Sequence, residues 1–272
     1  MQHQLQVNGL LFNVLDEGIG DVVLLVHGFP DDHNVWRNQV SALVAAGYRV
    51  IAPDTRGCGM SEMAPRTRDY ALYNLVSDLA GILDSLGVSK VRLVGHDWGA
   101  VIGWHFCIAH PSRVSSYAAL SVGHPAAYGG ASLKQKLKGW YVLMFQLRGF
   151  AEWLITARNW SFFRKFTGED VEIERWIPSL SRPGRLTAAI NYYRANLGVL
   201  LRPNVTKLRL PVMGVISDGD RFLIKEQMLA SREYVDAHFR FEFIEQAGHW
   251  LQIDLPEQVN ALLLEFFKDP LK

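Results

Sequence analysis

Apolar positions along this chain fall into two rhythms. Short, largely apolar runs recur: "VVLLV" (22–26), "YRVIAP" (48–53) and "VRLVG" (91–95), then "VSSYAAL" (114–120), "PVMGVIS" (211–217) and "FRFEFIE" (239–245). Their length and β-branched content predict strands, most of them buried on both faces. Between them the apolar spacing becomes helical. Leu72, Leu75, Val76, Leu79, Leu83 and Leu86 form one stripe, which Gly87 closes in the position after the helix, and Leu262, Leu263, Phe266 and Phe267 form another. Alternating strands and helices predict an α/β domain with a mostly parallel sheet flanked by helices. The opening "LQVNGLLFNVLD" differs, because Asn8-Gly9 between two short runs predicts a hairpin.

The alternation stops between about residues 126 and 203. No strand candidate occurs there, helical patterns run over 133–147 and 186–197, and four of the eight tryptophans (Trp140, Trp153, Trp160, Trp176) are concentrated in it. This predicts an inserted helical cap, 126–203, over a core domain formed by 1–125 and 204–272. The aromatic residues either pack on one another or enclose an apolar ligand, with Trp140, Phe145, Trp153 and Leu197 as candidate lining.

Composition narrows the picture. A chain of 272 residues, 49% hydrophobic and 20% charged, supports a sizeable core. Net charge is +1 with no long run of one sign, so neither a nucleic-acid nor an acidic-membrane partner is expected. The N-terminus has no basic segment leading into an apolar one, and no apolar run is long enough to span a bilayer, so a soluble, cytoplasmic protein is expected. Cys58 and Cys107 lack metal-ligand spacing and read as reduced thiols. "RGCGMSE" lacks the third glycine of a dinucleotide loop, and Asp31, Asp32 and His33 read as loop residues. No metal or cofactor is expected, and monomer and homodimer stay open.

The chemistry is concentrated in three places. Gly95-His96-Asp97-Trp98-Gly99 follows a strand and precedes a helix, the context of a nucleophile elbow with aspartate at its centre. The alternative is an aspartate that only caps the helix. "VHGFP" (26–30) ends an earlier strand, so the backbone amides of Phe29 and Trp98 are candidates for an oxyanion hole. "SDGDRFL" offers Asp218 or Asp220, and "EQAGHW" places His249 after the last strand. Nucleophile, acid and histidine stand in the chain order of a hydrolase triad.

These motifs resemble the α/β-hydrolase superfamily over nearly the whole chain. "APDTRGCGMSE" (52–62) matches a largely structural segment of that superfamily, so Asp54 and Arg56 are not catalytic candidates. "HGFP", "GHDWGA" and "GHW" together resemble its epoxide hydrolases. The resemblance implies the α/β-hydrolase fold, with a sheet of eight-stranded type, and a triad of Asp97, His249 and Asp220 rather than Asp218. It also implies two cap tyrosines that protonate the epoxide oxygen. Tyr141 matches one, and Tyr193, or Tyr192 in the other register, matches the second. Phe29, Trp98, Phe145 and Trp250 are then expected against the substrate.

A carboxylate nucleophile suits attack at saturated carbon, which leaves an alkyl-enzyme ester. An epoxide opens to a basic alkoxide, and a tyrosine with a pKa of about 10 is a far better proton donor to it than water at about 15.7. A haloalkane releases halide and needs indole N–H donors instead, which Trp98 with Trp140 or Trp153 would supply. The chain also resembles fluoroacetate dehalogenases, which carry arginines after the nucleophile to bind a substrate carboxylate; "WGAVIG" (98–103) has none, and by that resemblance an anionic substrate is not expected. The substrates expected are therefore an apolar or aromatic epoxide and water. The alternatives are a haloalkane dehalogenase on the same triad and a non-catalytic binding protein of this fold.

Overall fold

The computed structural model describes residues 1–168 and 170–271. β1 (Gln2–Val7) and β2 (Leu10–Glu17) form the predicted hairpin. Asn8 and Gly9 take φ of 49° and 78°, the left-handed pair that a two-residue hairpin turn demands. Six further strands follow: β3 (Val22–Val26), β4 (Arg49–Pro53), β5 (Val91–His96), β6 (Val114–Leu120), β7 (Val212–Ser217) and β8 (Phe239–Ile244). The sheet order is β1-β2-β4-β3-β5-β6-β7-β8, parallel from β4 onward, with β2 antiparallel to both neighbours. β5 and β7 are almost wholly buried, which is why their sequences show no polar face.

α1 (Arg37–Ala45) joins β3 to β4, α2 (Leu72–Ser85) joins β4 to β5, and α3 (Trp98–Ala109) joins β5 to β6. The chain steps outward from β3 to β4, then crosses back to β5 on the other side of β3. The carboxyl ends of β3 and β5 therefore flank a crevice where the winding reverses, the place where open α/β sheets hold ligands.

Between β6 and β7 the described elements are helices: α4 (Pro125–Gly129), α5 (Leu133–Lys138), α6 (Trp140–Met144), α7 (Phe150–Thr167), α8 (Asp170–Ser181), α9 (Arg185–Ala195) and α10 (Leu197–Leu201). The single helical pattern expected over 133–147 is split at Gly139. The pattern over 186–197 breaks at Asn196, whose amide bonds the Tyr70 and Tyr192 carbonyls and accepts from the Leu72 amide. That residue ties the cap to the start of α2. α7 is itself broken at 157–160, where Arg158, Asn159 and Trp160 take left-handed φ. α11 (Lys225–Ala230), α12 (Leu251–Asp254) and α13 (Pro256–Lys268) complete the fold, with α13 packed against α1 and α2 against α3. No helix among the described residues is long and apolar enough to cross a membrane.

Candidate active site

Asp97 sits between β5 and α3 at φ 52°, ψ −122°, a backbone region costly for any residue with a Cβ. The turn is tight enough that a Cβ on Gly99 would lie 1.9 Å from the Val26 carbonyl oxygen, and one on Gly95 2.4 Å from the Gly99 oxygen. The Asp97 side chain does not cap α3. Its Oδ1 accepts the Phe29 amide at 2.7 Å instead. A Cβ on Gly28 would lie 2.3 Å from that oxygen and 2.6 Å from the Trp98 amide nitrogen, so the two expected oxyanion donors border one carboxyl group.

His249 follows β8 and meets both carboxylates. Nδ1 lies 2.9 Å from Asp220 Oδ2, and Nε2 lies 3.6 Å from Asp97 Oδ2. Asp220 is held in turn by the Phe222 and Leu223 amides on Oδ1, at 2.8 and 3.0 Å. Asp218, the other choice open in the sequence, is exposed and accepts from the Gln246 amide. Burial opposes a charge on His249. Asp220 and, to a lesser degree, Asp97 outweigh it, and the pKa is pushed up to about 10.

Two positioning residues escaped the sequence reading. His96 Nε2 donates to the His249 carbonyl at 2.9 Å, and Ser121 Oγ donates to the same oxygen at 3.2 Å. Burial lowers the His96 pKa to about 3, so the ring is neutral and carries its proton on Nε2. The "GH" before Asp97 was the available signal for His96, while Ser121 carried none.

Two hollows touch Asp97. The larger encloses about 630 Å³ including its mouth, and its wall is mainly apolar: Trp98, Val101, Val122, Val142 and Val199 among others, without lysine or arginine. The smaller, about 260 Å³, lies between Phe29, Pro30, His249 and Trp250. Tyr141 and Tyr193 line both, with ring centroids 5.9 Å apart. Burial raises both tyrosines well above the usual phenol range, and the nearby Asp97 charge raises them further. Tyr192 points elsewhere and donates to the Arg56 carbonyl at 2.7 Å. Tyr128 adds a third phenol to the larger hollow, a residue the sequence reading passed over because it stands at the edge of the expected insertion.

Several expected lining residues lie off the wall. Phe145 is buried behind it, with its ring centroid 5.7 Å from Phe29 and 4.8 Å from Tyr193. Trp140 and Trp153 are 49% and 62% exposed on the outside of the cap, so neither supplies an indole to Asp97. Leu197 is half-buried, and its neighbours Asn196 and Val199 take the wall. Trp176 and Trp250 both donate indole N–H groups to Asp31, at 2.8 and 2.9 Å.

Asp31 is therefore a junction between cap and core. It is buried, and burial raises its pKa well above the carboxylate range. Trp176→Phe keeps most of the shape but strands Asp31 Oδ1 without its donor. Urea unfolding is expected to show a loss of about 1–3 kcal/mol, and an unchanged midpoint would show that the indole bond carries no stability. Nearby, Asp32, His33 and Asp54 bring three metal-capable groups together. Both Asp54 oxygens are already occupied, by the His33 amide and ring on one side and by Asn13 and the Met60 amide on the other, so the group reads as a structural tie.

Known proteins share this architecture. A family model described as alpha/beta hydrolase fold matches residues 21–256. Epoxide hydrolase 3 of Xenopus tropicalis is 32% identical, over 96% of this chain and 76% of its own. Epoxide hydrolase A of Mycobacterium tuberculosis is 30% identical, over 95% of this chain and 94% of its own. Among solved structures, an epoxide hydrolase from Bacillus megaterium superposes with a TM-score of 0.89 at 26% identity, covering 98% of this chain and all of that one. The chain belongs to the α/β-hydrolase family and, within it, to the epoxide hydrolases.

Proposed function

We propose that the protein converts an apolar epoxide to a vicinal diol through an ester on Asp97. The observation that carries this reading is the position of Asp97. One oxygen rests on the Phe29 amide, the other faces His249, and two tyrosines line the same hollows. Asp97 Oδ2 attacks a ring carbon, the ring C–O bond breaks, and the oxygen takes a proton from Tyr141 or Tyr193. The product of this step is an alkyl ester and a tyrosinate.

Esterification removes the Asp97 charge that helped hold the proton on His249. That proton then returns the tyrosinate to phenol through the solvent of the cavity. His249 is left neutral when a base is needed. It takes a proton from water, the hydroxide adds to the Asp97 carbonyl carbon, and the Phe29 and Trp98 amides bear the oxyanion. Collapse breaks the ester C–O bond, the departing alkoxide takes the proton that His249 gained from water, and the Asp97 carboxylic acid so formed passes its own proton to His249, which restores the resting carboxylate and imidazolium. Epoxide and water balance the diol, with the enzyme unchanged.

The haloalkane reading loses its second indole. Trp140 and Trp153 face solvent, and Trp176 and Trp250 are bonded to Asp31. A single turnover in heavy-oxygen water tests the ester directly. Label is expected in Asp97 and not in the diol, because the first oxygen transferred is the enzyme's own. Label entering the diol in that first turnover would mean that water attacks the epoxide itself.

A further inference from the structure

Of the seventeen large apolar side chains that stand exposed among the described residues, seven fall within residues 133–153. Leu133 and Leu137 share α5, Trp140 and Leu143 share α6, and Phe150 and Trp153 share α7, each pair at a spacing of three or four and so on one side of its own helix, and Leu133, Leu137 and Trp140 line one surface groove together. Apolar residues interleaved with them are the ones the cap buries: Tyr141, Val142, Met144, Phe145 and Ala151. Packing accounts for the inner face and leaves the outer one uncovered. Exposed apolar stretches of this kind mark contacts with a protein or a membrane.

Charge selects between occupants. Residues 131–168 contain seven lysines and arginines and one acid, Glu152, in a chain of net charge +1. Glu152 is already paired with Arg194 at 2.7 Å, and of the seven cations Arg164 is paired with Glu174 at 3.0 Å. Lys134, Lys138 and Arg221 rim a surface groove whose apolar lining includes Leu133, Leu137 and Trp140. A second copy docked here about a twofold axis would set these cations against themselves. A nucleic acid would meet the cations but leave the leucines wet. Leucine and tryptophan between lysines is the composition of an element lying in an anionic lipid interface.

We propose that this outer face of the cap docks the protein on anionic phospholipid surfaces. The inference is independent of the reaction. It has one spatial consequence for it: Phe166 and Phe222 line both the groove and the small hollow against Asp97 and His249, so docking sets that side of the site toward lipid.

Sedimentation of the intact protein with vesicles tests the proposal. Binding is expected to vesicles of mixed phosphatidylglycerol and phosphatidylcholine. It should be about tenfold or more weaker to phosphatidylcholine alone and should decline as salt rises. Lys134→Gln with Lys136→Gln should lower the partition about fivefold per charge removed. Leu133→Ser with Leu137→Ser should lower it about tenfold or more. All four side chains are exposed, so circular dichroism and thermal unfolding of the variants should match the parent. Equal binding to both vesicle types, or a partition that neither pair of substitutions changes, overturns the proposal. Absence of binding to any vesicle also overturns it. In that case a dimer dissociated by Leu137→Ser, or capture of polyglutamate, would name the occupant that replaces lipid.

Discussion

His249→Gln is expected to stop turnover with the enzyme held as its ester. Glutamine keeps a polar group near Asp97 but takes no proton from water, so ring opening continues and hydrolysis slows by about 10³-fold or more. Mixed with an excess of a styrene-oxide-like epoxide, the variant should gain the mass of one substrate, located by peptide mapping at Asp97. Rapid diol formation without an adduct would remove His249 from the role of base. The pH dependence of the parent follows from the same electrostatics. In the resting enzyme, burial opposes the His249 charge but Asp220 and Asp97 prevail, and the pKa is about 10. The ester cancels the Asp97 contribution, so the pKa falls in the intermediate. Measured as separate single-turnover steps, ester hydrolysis should rise with pH and level off at a pKa below about 10, where His249 is neutral. Hydrolysis whose pH dependence still centres near 10 would show that Asp97 does not control that proton.

The double variant Tyr141→Phe with Tyr193→Phe carries the second large effect. Ring opening without a phenol must place its proton from water, about 5.7 units weaker as an acid by the reference values. The alkylation rate should fall by about 10⁴-fold in the double variant and by roughly 10–100-fold in either single one, since each tyrosine lines both hollows that touch Asp97. Stopped-flow fluorescence, read through the tryptophans around the site, follows this step. The raised pKa of both phenols keeps them protonated in the resting enzyme, and part of that elevation comes from the Asp97 charge. As Asp97 becomes an ester, that part disappears, and the acids strengthen while the alkoxide forms. Tyr192→Phe removes only the bond to the Arg56 carbonyl and should leave alkylation within a few fold. A double variant that alkylates at the parent rate would transfer the proton-donor role, with Tyr128 the next phenol on the wall.

The elbow was legible because it is local. Gly95, Asp97 and Gly99 have to stand in that spacing for a strand to turn into a helix around a strained residue, and the order of five residues reveals it. The order Asp97, Asp220, His249 was legible for a related reason: each follows a strand, and strands announce themselves by apolar runs. The cap was legible as helix but not as orientation. Its sequence is apolar on more than one stripe, so periodicity cannot say whether Phe145 or Val142, Trp140 or Tyr141, faces the hollow. Tyr192 and Tyr193 are neighbours about 100° apart on α9, and only the packing against Tyr70 and Trp98 decides which one the site receives.

The sequence by itself determined the sheet and put an aspartate on the elbow and a histidine after the last strand, because period-two and period-3.6 patterns and strained turns are written in neighbouring residues. The choice of Asp220 over Asp218 rested on resemblance and is now seen in a hydrogen bond to His249. Only the tertiary structure revealed the Asp31 junction, whose two indole donors come from residues 145 and 219 positions away in the chain. Only it revealed the apolar groove rimmed by Lys134, Lys138 and Arg221 on the outside of the cap, hidden in a net charge of +1. Both depend on which faces meet in space, and a net charge or a periodicity sums over faces without telling them apart.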